Sequence, residues 1–139
     1  MPVTDAPLRE QARILLRTAR ADGHACRALA HDPQASPWII GFHRQQAVEK
    51  CLKAVLAAPG VRYPFTHDIQ ALLKLVRNSD LVLPADAENL PRLTPFAALA
   101  RYDDEFDPEA TALRSVASDW LLARSAQVLH WAQRQTGAA

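Results

Sequence analysis

Apolar and polar positions along the chain repeat with a helical period almost throughout. Leu8, Ala12, Leu15, Ala19, Cys26 and Leu29 share one face, which predicts a first amphipathic helix from about Asp5 to Ala30. His31-Asp32-Pro33 and Ser36-Pro37 read as the connection that follows, because proline disfavours helical backbone in the residue before it. A second helix is expected from about Trp38 to Ala57, stopping at Pro59-Gly60, with Val48, Cys51, Leu52, Val55 and Leu56 as its apolar stripe. Thr66 reads as the N-cap of a third helix, with Asp68 in the first turn, where the helix dipole favours a carboxylate. Ile69, Leu72, Leu73 and Val76 form the inward side of that helix. Asn78 to Leu83 reads as a turn. Pro84 to Ala100 is helix-prone but interrupted, with Thr94-Pro95 as a restart, threonine capping and proline at the first helical position. Asp107-Pro108-Glu109 is a similar signal and opens a last helix to about Arg134, with Leu113, Val116, Ala117, Trp120, Val128 and Trp131 inward. No stretch alternates with the period of a strand. The pattern predicts an all-α fold, an antiparallel up-and-down bundle of four to five helices. It is read as a single domain over 1–139, the tail fraying after about residue 135.

Composition supports that reading and narrows the function classes. The 139 residues are 49% hydrophobic and 22% charged, with 4 Gly, enough apolar matter for a core and few helix breakers of that kind. The formal net charge is +1 with both signs interspersed, which argues against broad electrostatic capture of RNA or DNA and leaves room for a local patch. Cys26 and Cys51 fall on apolar stripes and read as free thiols in a reducing compartment. No cysteine or histidine spacing suggests zinc, so no metal site is expected. No apolar run approaches the ~20 residues of a membrane span, and the N-terminus lacks a secretory signal pattern. A cytoplasmic protein without membrane association is expected.

The stretch Phe42 to Lys53 changes the picture most. At about 100° per residue, His43, Gln46, Lys50 and Lys53 gather opposite the apolar stripe, with Glu49 at the border. Such a face suits a ligand site or an ordinary solvated surface, where Glu49 and Lys53 would be a favourable i,i+4 pair. Asp22 is a second anomaly, because it falls inside the apolar stripe of the first helix. A buried carboxylate without a partner is costly, so Lys50, Arg101 or Arg124 is expected to pair with it, unless a break near Gly23 turns it outward.

The run Phe42-His43 to Ala54 (F-H-x-Q-Q-A-V-E-K-x-L-K-A), the Pro-Gly turn, Thr66-His67-Asp68-Ile69 and Ala100-Arg101-Tyr102 together resemble the HEPN domain family (higher eukaryotes and prokaryotes nucleotide-binding). The resemblance extends from about Leu8 to Trp131. It implies a helical bundle of four or five helices that forms a homodimer. It also implies an accessory role beside a minimal nucleotidyltransferase partner, in a two-component or toxin–antitoxin system. The HEPN chain would bind nucleotide or substrate, with no intrinsic cofactor, and the partner would supply the catalytic carboxylates and divalent cation. On that reading His43, Gln46, Glu49, Lys50, Lys53, His67, Asp68, Arg101 and Tyr102 are the candidates for nucleotide or partner binding.

Other branches of the family are metal-independent ribonucleases, marked by an arginine, about four to six residues and a histidine at the start of a late helix. Here Arg101 is followed by Tyr102-Asp103-Asp104-Glu105-Phe106-Asp107 without a histidine, and His130 lies far downstream of it. Arg62 and His67 fit the spacing but straddle a loop and a helix cap. They are the weak candidates for a ribonuclease, which needs an acid or base at the 2′-hydroxyl and a cation at the phosphate. A non-catalytic helical scaffold is the third reading. Asp103, Asp104, Glu105 and Asp107 read as a solvated acidic loop, and Trp120 and Trp131 as core or dimer interface.

Overall fold

The computed structural model describes residues 6–97 and 118–137. Arg101, Tyr102, the acidic run and the expected start of the last helix at Asp107-Pro108-Glu109 lie outside the described residues. So do the side chains of Trp120 and Arg124.

All described regular structure is helical, as the hydrophobic period requires. The elements are α1 (Ala6–Ala30), α2 (Pro37–Ala57), α3 (Ile69–Asn78), a 3₁₀-helical stretch (Ala87–Ala97) and α4 (Ser118–Thr136). α1 and α2 form an antiparallel hairpin: Cys26 lies against Ile40 near the connection, and Gln11 reaches Tyr63 beyond the far end. α4 packs on both of them, while α3 and the 3₁₀ stretch pack on α2 and on each other. α2 is therefore the central helix of the bundle.

The ends of the elements follow local chemistry. Ser36 caps α2 through its hydroxyl, which accepts from the Trp38 amide, and Pro37 occupies the first turn, where no amide hydrogen is needed. α2 closes with Val61 N–H donating to the Leu56 carbonyl and Gly60 N–H to that of Ala57, the pattern of a Schellman motif. It needs a left-handed residue, and Gly60 has φ 94°. α3 closes with the same pair of bonds, Leu81 to Val76 and Asp80 to Arg77, but there the left-handed residue is Asp80, with φ 57°.

Two expected boundaries are corrected. The N-cap of α3 is Asp68, whose carboxylate accepts from the Gln70 amide, and Thr66 instead accepts from the Asp68 amide. The expected restart at Thr94-Pro95 does not form. A 3₁₀ stretch runs through Pro91 and Pro95, and the Thr94 hydroxyl accepts from the Ile69 amide, serving the start of α3. The last helix ends at Thr136, close to the expected end at about Arg134.

The core joins Leu16 and Ala19 of α1, Val48, Leu52, Val55 and Leu56 of α2, Ile69, Leu72 and Val76 of α3, Leu90 and Leu93 of the 3₁₀ stretch, and Val128 and Trp131 of α4. Trp131 satisfies its indole N–H on the Val82 carbonyl at 3.0 Å, which ties α4 to the turn after α3. Beside this core, Trp38 and Phe96 pack as a tilted ring pair, with centroids 4.7 Å apart and planes at 46°. Gly41 lies under the Phe96 ring, so close that a Cβ at this position would overlap it. None of the helices among the described residues is long and apolar enough to cross a membrane.

Candidate functional site

The central place of α2 changes the meaning of its polar residues. They are not a solvated face. Arg44 and Gln45 are fully buried, Glu49 is nearly so, and the ammonium-bearing side chains of Lys50 and Lys53 are largely covered. The polar side of the helix is organised around two carboxylates, each of which takes one lysine and one histidine.

The first carboxylate is Asp22, on α1. Its Oδ2 accepts from Lys50 Nζ at 2.6 Å and its Oδ1 lies 2.9 Å from His43 Nδ1. α1 runs unbroken through Gly23, so Asp22 stays on the inward stripe and meets α2 there. Of the three partners expected for it, Lys50 is in place, while Arg101 and the Arg124 side chain lie outside the described residues. The ring of His43 is edge-on to Phe42 at 5.6 Å.

The second carboxylate is Glu49, on α2. Oε2 accepts from Lys53 Nζ at 2.9 Å, one turn on, and Oε1 accepts from Gln45 Nε2 at 2.8 Å, one turn back. Oε1 also lies 2.9 Å from Nδ1 of His67, which comes from the segment before α3. Gln45 further donates to the His67 carbonyl at 3.3 Å and accepts from Gln46 Nε2 at 2.7 Å. Burial pushes the Glu49 carboxyl up, but the bonds from Gln45, Lys53 and His67 outweigh it and hold the group below its ordinary value of 4.5. Glu49 is therefore a charged, fully engaged anchor. His67 keeps 57% of its side chain exposed, with Nδ1 turned to Glu49 and Nε2 unengaged among the described residues.

Next to this second cluster is a groove of about 270 Å³, lined by Lys53, Arg62, Tyr63 and Phe65, with Leu8 and Gln11 of α1 on its other wall. Gln11 Nε2 donates to the Tyr63 hydroxyl at 2.6 Å. Burial and the Glu49 charge both push the Tyr63 phenol up, so it is protonated at neutral pH and can donate. The Lys53 ammonium sits 5.7 Å from the centre of the Tyr63 ring. Arg62 is exposed and makes no ion pair among the described residues. Phe65 is 99% exposed, with its ring edge-on to His67 at 6.1 Å.

The candidate residues are thus divided between two clusters. Lys53 and His67 meet at Glu49, where Lys53 also lines the groove, with Gln46 linked to them through Gln45. His43 and Lys50 meet at Asp22. Asp68 caps α3. The groove also brings in Arg62, previously a weak candidate, together with Gln11, Tyr63 and Phe65, which periodicity does not reveal. Gln45 was legible in principle, since it precedes Glu49 by one turn. Among the described residues no group of three or more His, Cys, Asp or Glu is placed to hold a metal ion.

An arginine and a histidine at the ribonuclease spacing do occur in the last helix, contrary to expectation: Arg124 and His130, with five residues between. The spacing also occurs in α1, at Arg17 and His24. On a continuous helix such as α4, a separation of six positions places residues about 9 Å apart along the axis and about 120° apart around it. Spacing alone therefore does not bring the two to one phosphate.

Comparison with curated proteins and with solved structures finds no match. The HEPN domain family matches residues 12–135, a span that contains α2, the Thr66-His67-Asp68 segment and both carboxylate clusters. The chain belongs to the HEPN family, whose domains are nucleotide-binding or ribonuclease-like.

Proposed function

We propose that this chain is a nucleotide-binding HEPN protein that holds its ligand in the groove beside Glu49 and works with a nucleotidyltransferase partner. The observation that carries the reading is the meeting of Lys53, Arg62 and the Tyr63 hydroxyl in one groove next to His67. Two cations and a phenol suit a phosphate, with arginine able to offer paired donors and lysine a point charge. Lys53 is pre-aimed by Glu49, so little side-chain freedom is lost on binding. In this reading the partner brings the divalent cation and the catalytic carboxylates, and the HEPN chain acts in the cytoplasm as a homodimer.

The test is direct. Titration calorimetry with ATP, GTP, CTP and UTP should show binding that Arg62→Ala and Lys53→Ala weaken. Co-expression with a nucleotidyltransferase encoded in the adjacent reading frame should yield a complex on size exclusion. No nucleotide binding together with no complex would sink the proposal.

One observation favours ribonuclease chemistry as a second reading. Glu49 holds His67 by Nδ1, which leaves Nε2 available as an acid or base, and Arg62 lines the neighbouring groove. RNA integrity after induced expression decides it. Cleavage that persists unchanged in Arg62→Ala and His67→Ala rules these residues out.

A further inference from the structure

We infer that the groove takes a single unpaired nucleotide, with its base stacked on Phe65 and its phosphate between Lys53 and Arg62. The inference rests on the nucleotide-binding reading and adds the part of the ligand that phosphate contacts leave undefined. Phe65 is 99% exposed at the rim of the groove that holds both cations. A lone exposed aromatic is common on protein surfaces. This one differs in its neighbours and in its support. Its ring makes a T-shaped contact with His67, whose own orientation is set by the buried Glu49. Pro64, directly before it, restricts its own φ and the backbone of Tyr63. The Thr66 hydroxyl accepts from the Asp68 amide just after it, at 3.1 Å. The segment is thus braced on both sides of the ring, which lowers the cost of ordering it around a ligand.

An exposed aromatic face beside cations is the arrangement by which proteins hold unpaired bases, because every base offers a π-face and the backbone offers charge. The Tyr63 hydroxyl, already accepting from Gln11, has its hydrogen free for a sugar or phosphate oxygen. The groove lining holds two cations, Lys53 and Arg62, which match one phosphate rather than a run of them. The ligand is therefore one nucleotide, either free or at an unpaired position of an RNA strand. A base-paired nucleotide cannot present its face to Phe65 while it is stacked in a helix.

Fluorescence anisotropy and calorimetry on the full chain separate the sources. The probes are AMP, a short single-stranded oligoribonucleotide and a blunt duplex of the same sequence. Wild-type protein should bind AMP, the single strand or both, and bind the duplex at least about tenfold more weakly. Phe65→Ala should weaken the bound probe by about 5- to 150-fold, the size of one base–aromatic stack, and Phe65→Trp should restore it. Phe65 touches no core residue, and circular dichroism should confirm that both variants remain folded. If the wild type binds neither AMP nor single strand, the nucleotide-binding reading itself fails. If it binds them and Phe65→Ala binds equally well, or the duplex binds as tightly as the single strand, this inference alone is overturned. An unchanged affinity accompanied by altered self-association would assign Phe65 to a protein interface instead.

Discussion

Glu49 and His67 lie 2.9 Å apart, across the junction between the central helix and the segment that leads into α3. The contact joins residues far apart in sequence and turns Nδ1 of the imidazole to Glu49, which leaves Nε2 on the exposed side. Because the same carboxylate also takes Lys53 and Gln45, one buried side chain positions three others.

This anchor makes stability depend on pH in a definite direction. The Glu49 carboxyl is held below 4.5 in the folded protein, so the unfolded chain binds the proton more tightly. Its contribution is complete at neutral pH and is lost as pH falls below about 4.5 through the lower folded value. Thermal melts of wild type should decline through this acid window, and Glu49→Gln should flatten that part of the profile. A profile unchanged by the substitution would contradict the assignment.

At neutral pH, Glu49→Ala should destabilise by about 3 kcal/mol, because it strands Lys53 and the buried Gln45 amide. Asp22→Ala should cost less, about 1–3 kcal/mol, since Lys50 is more exposed than Lys53 and can turn to water. A double-mutant cycle of Asp22→Ala and Lys50→Met by urea denaturation should return a coupling of about 0.5–3 kcal/mol. Additive effects would mean that the ion pair contributes nothing of its own.

Asp80 occupies at the end of α3 the left-handed position that Gly60 occupies at the end of α2. Asp80→Gly should therefore stabilise the protein by up to roughly 1 kcal/mol, visible as a higher melting temperature.

Gly41 is required by the Phe96 ring rather than by its own backbone, which is helical. Gly41→Ala should destabilise by about 1–3 kcal/mol. The penalty should shrink in a Phe96→Leu background, as measured by chemical denaturation.

Cys26 and Cys51 are fully buried, and burial pushes the Cys51 thiol up to about 12 and the Cys26 thiol above its ordinary value despite the nearby Arg44 guanidinium. Neither should react with a thiol reagent in the native protein, and both should react in denaturant. Rapid native labelling would show that the α1–α2 interface opens.

Much of the fold was legible in the chain because helical burial repeats every few residues. The stripes of α1, α2 and α3 predict their helices, and Pro59-Gly60 marks the end of α2. Asp22 announced itself as a polar residue inside an apolar stripe, so the need for a cation was readable while the choice of Lys50 was not. Caps and 3₁₀ turns were less legible, since Thr66, Asp68 and Thr94 all have cap chemistry. Which amide each hydroxyl or carboxylate meets depends on the path of neighbouring segments.

By itself, then, the order of residues determined the helical class, the stripes that form the core and the family pattern in α2 and Thr66-His67-Asp68. Only the tertiary structure decided that α2 is central, that its polar residues divide between Asp22 and Glu49, and that Arg62, Tyr63 and Phe65 join Lys53 at one groove. The physical reason is that periodicity records which side of a helix is buried, whereas hydrogen bonds and ion pairs require a partner from another element. Where that partner arrives is determined by the packing of the whole bundle.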